Sequence, residues 1–279
     1  MTSAAGFVCA DGLVIAADAE HSSGVARWEQ RRIFEHTRAA YALSVCGAGN
    51  DDLIRMAFDQ LARELEDADQ LEDLERKSEK LVNRLAKKYL FCYGEHDAQR
   101  PQLRLLIAAS AAHGGTLLLK SDANRIARVD GCEFLGAGAE LARATASWLY
   151  EPGLTCAVVA RMATEVLGWV RQHVPGCGRS TRVLTLKAGA VAEATAPEAE
   201  AGFFWGVHRL LQPILTGCLD ERVSDVEFDD RLRWFEEALS GVRQSLRPGA
   251  PATPADSRAA PAAEPRPAAP LAPIDSSQL

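Results

Sequence analysis

Residues 1–20, MTSAAGFVCADGLVIAADAE, decide the fold. A strand-like run begins almost at once, with a threonine directly behind the initiator methionine. Residues 6–10 and 13–18 are apolar and rich in β-branched side chains, with Asp11-Gly12 between them. That dipeptide is the strongest short hairpin signal, because a type I′ turn needs positive φ at both central residues. The spacing predicts a hairpin whose second strand ends at Asp18, back beside the start of the chain.

Working outward, residues 32–36 and 40–46 form a second pair of predicted strands. They end at Gly47-Ala48-Gly49, where small residues let the backbone turn sharply or approach a ligand. A helix is predicted next. Asn50 is its N-cap, Asp51 and Asp52 complement the positive helix terminus, and Leu53, Ile54, Ala57, Phe58, Leu61 and Leu65 share one face. A second helix is predicted over 71–90, with Leu74, Leu81 and Leu85 inward and Glu and Lys outward. The period then returns to two, giving short strands over 103–110, 115–120, 125–129 and 133–135. Gly136-Ala137-Gly138 leads into helices over 139–150 and 155–173, and 181–187 is a returning strand. Helices over 206–218 and 229–247 complete the predicted order. Runs of strands followed by pairs of helices imply an α+β fold, with antiparallel sheets and helical layers outside them. The expected organisation is one domain over 1–194, a helical extension packed on it over 195–247, and a tail over 248–279. That tail is rich in Pro and Ala without an aromatic residue, so it buries too little surface to offset chain entropy and is expected to be disordered.

Composition narrows the function classes. The 279 residues are 47% hydrophobic and 25% charged, enough for one substantial core. Net charge is −7 and the positive residues are scattered, so neither nucleic acid nor a membrane surface is an expected partner. Cys9, Cys46, Cys92, Cys132, Cys156, Cys177 and Cys218 are an odd set with no C-x-x-C pair, as expected of free thiols in a reducing cytoplasm. No basic segment followed by an apolar run opens the chain, and no apolar stretch is of membrane-spanning length, so neither targeting nor insertion is expected. The six histidines show no metal-ligand spacing, and no cofactor is expected. Amphipathic spacing puts Trp148, Trp169 and Trp205 in the core.

GFVCADGLVIAAD at 6–18, RRIFEH at 31–36 and AYALSVCGAG at 40–49, followed by a helix, resemble the proteasome β-subunit family of N-terminal-nucleophile hydrolases. The likeness covers about the first 190 residues, including the Gly-x-Gly at 136–138, and is most specific in the first 60. It implies a four-layer αββα sandwich, with two antiparallel sheets between two helical layers, and a mature chain that begins with a catalytic threonine. Thr2 falls on that threonine once Met1 is removed, and the interval from Thr2 to Asp18 matches the family's nucleophile-to-aspartate interval. A threonine hydroxyl is a poor nucleophile, but at a chain terminus its own α-amine, with an ordinary pKa of about 7.7–8.0, serves as the base. The resemblance further implies that Asp18 orients the terminal hydroxyl and a neighbouring cation, and that the Gly47 N–H is the oxyanion donor.

Three positions depart from the family. Its active-site lysine falls at Arg32, and the first lysine in the chain is Lys77, so no realignment restores it. Arginine supplies a positive field but holds its proton near neutrality. The serine of the family's Gly-Ser-Gly is Ala137, and the loop before the late strand corresponds to HVPGCGRS at 173–180, with His173 and Ser180 as substitutes. The resemblance implies a threonine peptidase acting on peptides or unfolded proteins through Thr2, Asp18, Arg32 and Gly47, assembled as a homo-oligomeric ring in the cytoplasm. A catalytically impaired scaffold subunit of the same fold is the alternative, and a small-molecule amidase a third class.

Overall fold

The computed structural model describes residues 3–18, 20–23, 26–29, 32–64, 71–93, 97, 101–177, 180–194, 211, 214, 218 and 223–245. The chain divides into two units, Met1–His208 and Arg209–Leu279.

In the first unit the elements run β1 (Ser3–Cys9), β2 (Gly12–Asp18), β3 (Glu20–Ser23), β4 (Ala26–Glu29), β5 (Ile33–Thr37) and β6 (Tyr41–Gly49). Helices α1 (Asp51–Glu64) and α2 (Leu71–Leu85) follow, α2 continuing into a π-helical turn, Ala86–Leu90. Next come β7 (Leu103–Ala111), β8 (Thr116–Asp122), β9 (Arg125–Arg128) and β10 (Cys132–Gly136). Helices α3 (Ala139–Ala146) and α4 (Cys156–His173) precede β11 (Thr181–Lys187) and β12 (Ala190–Glu193). Two five-stranded sheets result, ordered β10-β1-β2-β11-β12 and β5-β6-β7-β8-β9, with β3-β4 a separate pair. The described strand pairs are antiparallel. The mixed α and β composition with antiparallel sheets agrees with the sequence expectation.

Strand residues alternate between two environments, which explains why β2 and β6 read as continuous apolar runs. In β2, Leu13, Ile15 and Ala17 join a cluster with Cys46, Leu106, Ala108 and Leu118 of the other sheet. Val14 and Ala16 join Phe7 and the inward residues of α4, among them Val159, Met162, Val166 and Val170. In β6, Leu43 and Val45 face Leu53, Ala57, Leu61 and Leu81 of α1 and α2. A period-2 strand buried on both faces carries no polar stripe. Phe7 and Phe134 meet edge to face at 5.5 Å and 81°, a geometry worth about 0.5–1.5 kcal/mol beyond burial.

Four local expectations need correction. The β1–β2 hairpin forms, but Cys9 pairs with Gly12, so Ala10 and Asp11 make the turn and neither has positive φ. Gly12 is required for another reason: a Cβ there would lie 2.3 Å from the Leu186 carbonyl oxygen of β11. The two-residue turn with positive φ at both positions is Ala188 (44°) and Gly189 (75°), between β11 and β12. Helix α3 stops at Ala146, and tight turns continue to Tyr150, whose hydroxyl donates to the Val8 carbonyl at 2.7 Å. Trp148 is 83% exposed, because those turns swing it outward, while Trp169 is half-buried and Trp205 lies outside the described residues.

The second unit contains α5 (Asp225–Ser245), four residues earlier than expected at its start. Ser224 Oγ accepts the Glu227 N–H at 3.3 Å, and Ser-x-x-Glu is a capping-box sequence. Most of 206–218 and all of 248–279 lie outside the described residues, as does Leu65. Among the described residues no helix is long and apolar enough to cross a membrane.

Candidate active site

Asp18 ends β2 between two neighbours: Ala17 pairs with Ala4 of β1, and Asp18 itself pairs with Thr181 of β11. Its carboxylate is 2% exposed. Oδ1 accepts the Ser3 N–H at 3.1 Å. The register places β1 antiparallel to β2, so the end of one strand meets the start of the other. Thr2 itself lies outside the described residues.

Arg32, just before β5, is also buried. Its Nε is 3.9 Å from Asp18 Oδ1, and a terminal guanidinium nitrogen is 3.7 Å from Asp51 Oδ1 at the first residue of α1. These are ion-pair separations, longer than hydrogen bonds. Asn50, the expected N-cap, accepts the Leu53 N–H at 3.0 Å and fixes the helix start that carries Asp51. One buried guanidinium therefore sits between two carboxylates, from a strand end and a helix start. The sequence reading placed Asp51 only as a helix-terminal charge.

Backbone bonding at the ends of β6 fixes the direction of Gly47. Ala112 N–H donates to Ala40 and Asn50 N–H to Gln102, so even-numbered residues of β6 bond toward β7. Arg38 N–H donates to Tyr41, so odd-numbered residues bond toward β5. Gly47 is odd, and its amide faces the β5 side, level with Arg32, since Ile33 pairs with Cys46. A Cβ at Gly47 would lie 2.4 Å from the Arg104 carbonyl oxygen, so only glycine fits without moving β7.

Two thiols adjoin the carboxylate. Burial, and then the Asp18 charge, push the Cys46 thiol far above its ordinary range. Burial also pushes up Cys177, against the opposing pull of a hydrogen bond with Ser3, while the Asp18 charge raises it further. Both are neutral thiols at neutral pH, and neither has the thiolate character of a nucleophile. Cys177 lies on the loop between α4 and β11, within the HVPGCGRS stretch at 173–180. Of the expected substitutes there, Ser180 is exposed beside Thr181. His173 turns elsewhere, with Nδ1 2.9 Å from the Trp169 carbonyl oxygen and its ring against the Trp169 indole. Among the described residues no cluster of His, Cys, Asp or Glu is arranged to hold a metal ion.

No protein-family model matches the chain, and no curated protein matches its sequence. Solved structures do match in fold. Anbu from Hyphomicrobium sp. strain MC1, a Gly-1 mutant, aligns with a TM-score of 0.63 over 79% of this chain and 97% of its own, at 11% identity. The fold is similar to that of Anbu. A second example, from Yersinia bercovieri and described as an ancestral β-subunit, aligns with a TM-score of 0.59 at 13% identity, covering 87% of this chain and 97% of its own. The likeness to a β-subunit supports the proteasome-β-like fold expectation.

Proposed function

We propose that this chain is a divergent proteasome-like threonine peptidase whose nucleophile is Thr2, freed on removal of Met1. The observation that carries the reading is the hydrogen bond from Ser3 N–H to Asp18 Oδ1, which ties the residue bonded to Thr2 to a buried carboxylate. The α-amine of Thr2 takes the hydroxyl proton, and Oγ attacks the peptide carbonyl carbon. The Gly47 N–H stabilises the resulting oxyanion, a contribution worth about 3–4 kcal/mol in comparable sites. Collapse breaks the C–N bond, and the departing amine takes the proton held by the α-ammonium. Water, deprotonated by the same amine, then hydrolyses the acyl ester. Asp18 and Arg32 act through their charges and transfer no proton in the reaction.

The interleaved clusters support reading the first unit as a four-layer αββα sandwich. Its substrates are peptides or unfolded proteins, and it works as a homo-oligomeric ring in the cytoplasm. A second reading, a scaffold subunit without turnover, is favoured by Arg32 itself: a guanidinium between Asp18 and Asp51 stands where the related enzymes use a proton-carrying lysine. Peptidase assays on wild type, Thr2→Ala and Arg32→Lys separate the two. Activity abolished by Thr2→Ala supports the peptidase. Inactivity of all three supports the scaffold, and activity gained only in Arg32→Lys identifies the guanidinium as the defect.

A further inference from the structure

We propose that Cys177 is a positioning residue for the reacting end of the chain, its side chain holding the hydroxyl of Ser3, the residue bonded to Thr2. The inference rests on the threonine-peptidase reading and adds to it a residue 174 positions away in sequence.

Ser3 Oγ and Cys177 Sγ lie 3.2 Å apart, within reach of an O–H···S or S–H···O bond. Both residues are buried. Ser3 is held in three ways of different kinds. Its backbone pairs with Gly136 of β10, its N–H donates to Asp18, and its side chain lies between Cys177 and Gly138. A Cβ at Gly138 would come within 2.8 Å of Ser3 Oγ, so a side chain at position 138 would displace the hydroxyl from its place beside Cys177. Strand pairing fixes Ser3 along the sheet, and the two side contacts fix its rotation. Cys177 is anchored in turn by its N–H, which donates to Val174 just after α4 ends. Chain ends fray unless tied down, and reactive groups need placement to within about 0.5 Å. A neutral hydroxyl in place of the thiol would serve the same contact, whereas a methyl group would not.

The test uses the full chain, with Cys177→Ala, Cys177→Ser, Ser3→Ala and the Ser3→Ala/Cys177→Ala double variant. Two quantities are read: hydrogen exchange in the peptide that contains the start of β1, and the rate at which Thr2 is labelled by an N-terminal-threonine-directed epoxyketone. Cys177→Ala and Ser3→Ala are each expected to speed exchange and slow labelling about fivefold, with Cys177→Ser close to wild type. The double variant is expected to do no worse than either single one, because both remove the same contact. The proposal is overturned if Cys177→Ala behaves as wild type, if Cys177→Ser is as impaired as Cys177→Ala, or if the two effects multiply. Should Cys177→Ala fail to fold, Cys177→Ser and Ser3→Ala carry the same comparison. A wild-type chain that takes no label contradicts the peptidase reading, and exchange alone then decides the role of Cys177.

Discussion

Asp18 holds two unlike partners at once, the Ser3 amide at 3.1 Å and the Arg32 guanidinium at 3.9 Å. Its burial makes both consequential, since a buried charge deprived of a counter-charge is poorly solvated. Asp18→Ala is expected to destabilise the fold by about 3 kcal/mol in denaturant titration. Asp18→Asn, which keeps an acceptor for the Ser3 amide, is expected to lose less. Equal losses would mean that the charge, rather than the amide contact, dominates. Gly47→Ala is expected to cost about 1–3 kcal/mol, because its Cβ meets a backbone oxygen that cannot rotate aside. An unchanged unfolding midpoint would show slack between β6 and β7. Asp18, Arg32 and Gly47 were singled out in the sequence through the resemblance of GFVCADGLVIAAD, RRIFEH and AYALSVCGAG to a family's motifs, not through any local period. Cys177 was not: a cysteine among small residues has no period, and its partner is distant in the chain.

At the level of elements, the hairpin that opens the fold is also tied to a helix. Asp11 accepts the Cys156 N–H at the start of α4 at 2.7 Å and pairs with Lys187 of β11. Burial pushes its pKa up, but these partners outweigh it and bring the value from 3.8 down to about 2. A carboxyl depressed in the folded state contributes stability above its unfolded pKa and loses it as pH falls through the folded one. Relative to Asp11→Asn, which retains the amide contact, the wild type is therefore expected to keep a constant advantage above about pH 5 and lose it toward about pH 2. An advantage independent of pH would contradict that assignment. The same aspartate shows where sequence reading falls short. Asp11-Gly12 signalled a hairpin correctly, but the glycine serves close approach to β11 and the aspartate serves α4 and Lys187, contacts that no local pattern encodes. Strands β3 and β4 went unread because EHSS holds no apolar residue and ARWE alternates over only four residues.

For the molecule as a whole, two sheets that bury both faces bring the start of β1, the end of β2, the segment before β5 and the loop after α4 to one place. The fold class was legible because period-2 runs and amphipathic helices alternate in blocks. The place of Cys177 beside Ser3 was not, because it depends on the packing of the sheets and α4. The proposed ring makes a prediction of its own: native mass should be a multiple of 30.1 kDa, with oligomer retained on dilution. A single species at 30.1 kDa would contradict the ring. The proposed peptidase requires Thr2 to be a working N-terminal nucleophile. The most direct test is incubation with an N-terminal-threonine-directed epoxyketone followed by peptide mass mapping. One adduct is expected, on Thr2 of a chain lacking Met1, and none on Thr2→Ala. Retained Met1, or an unmodified Thr2 at high reagent excess, would contradict it.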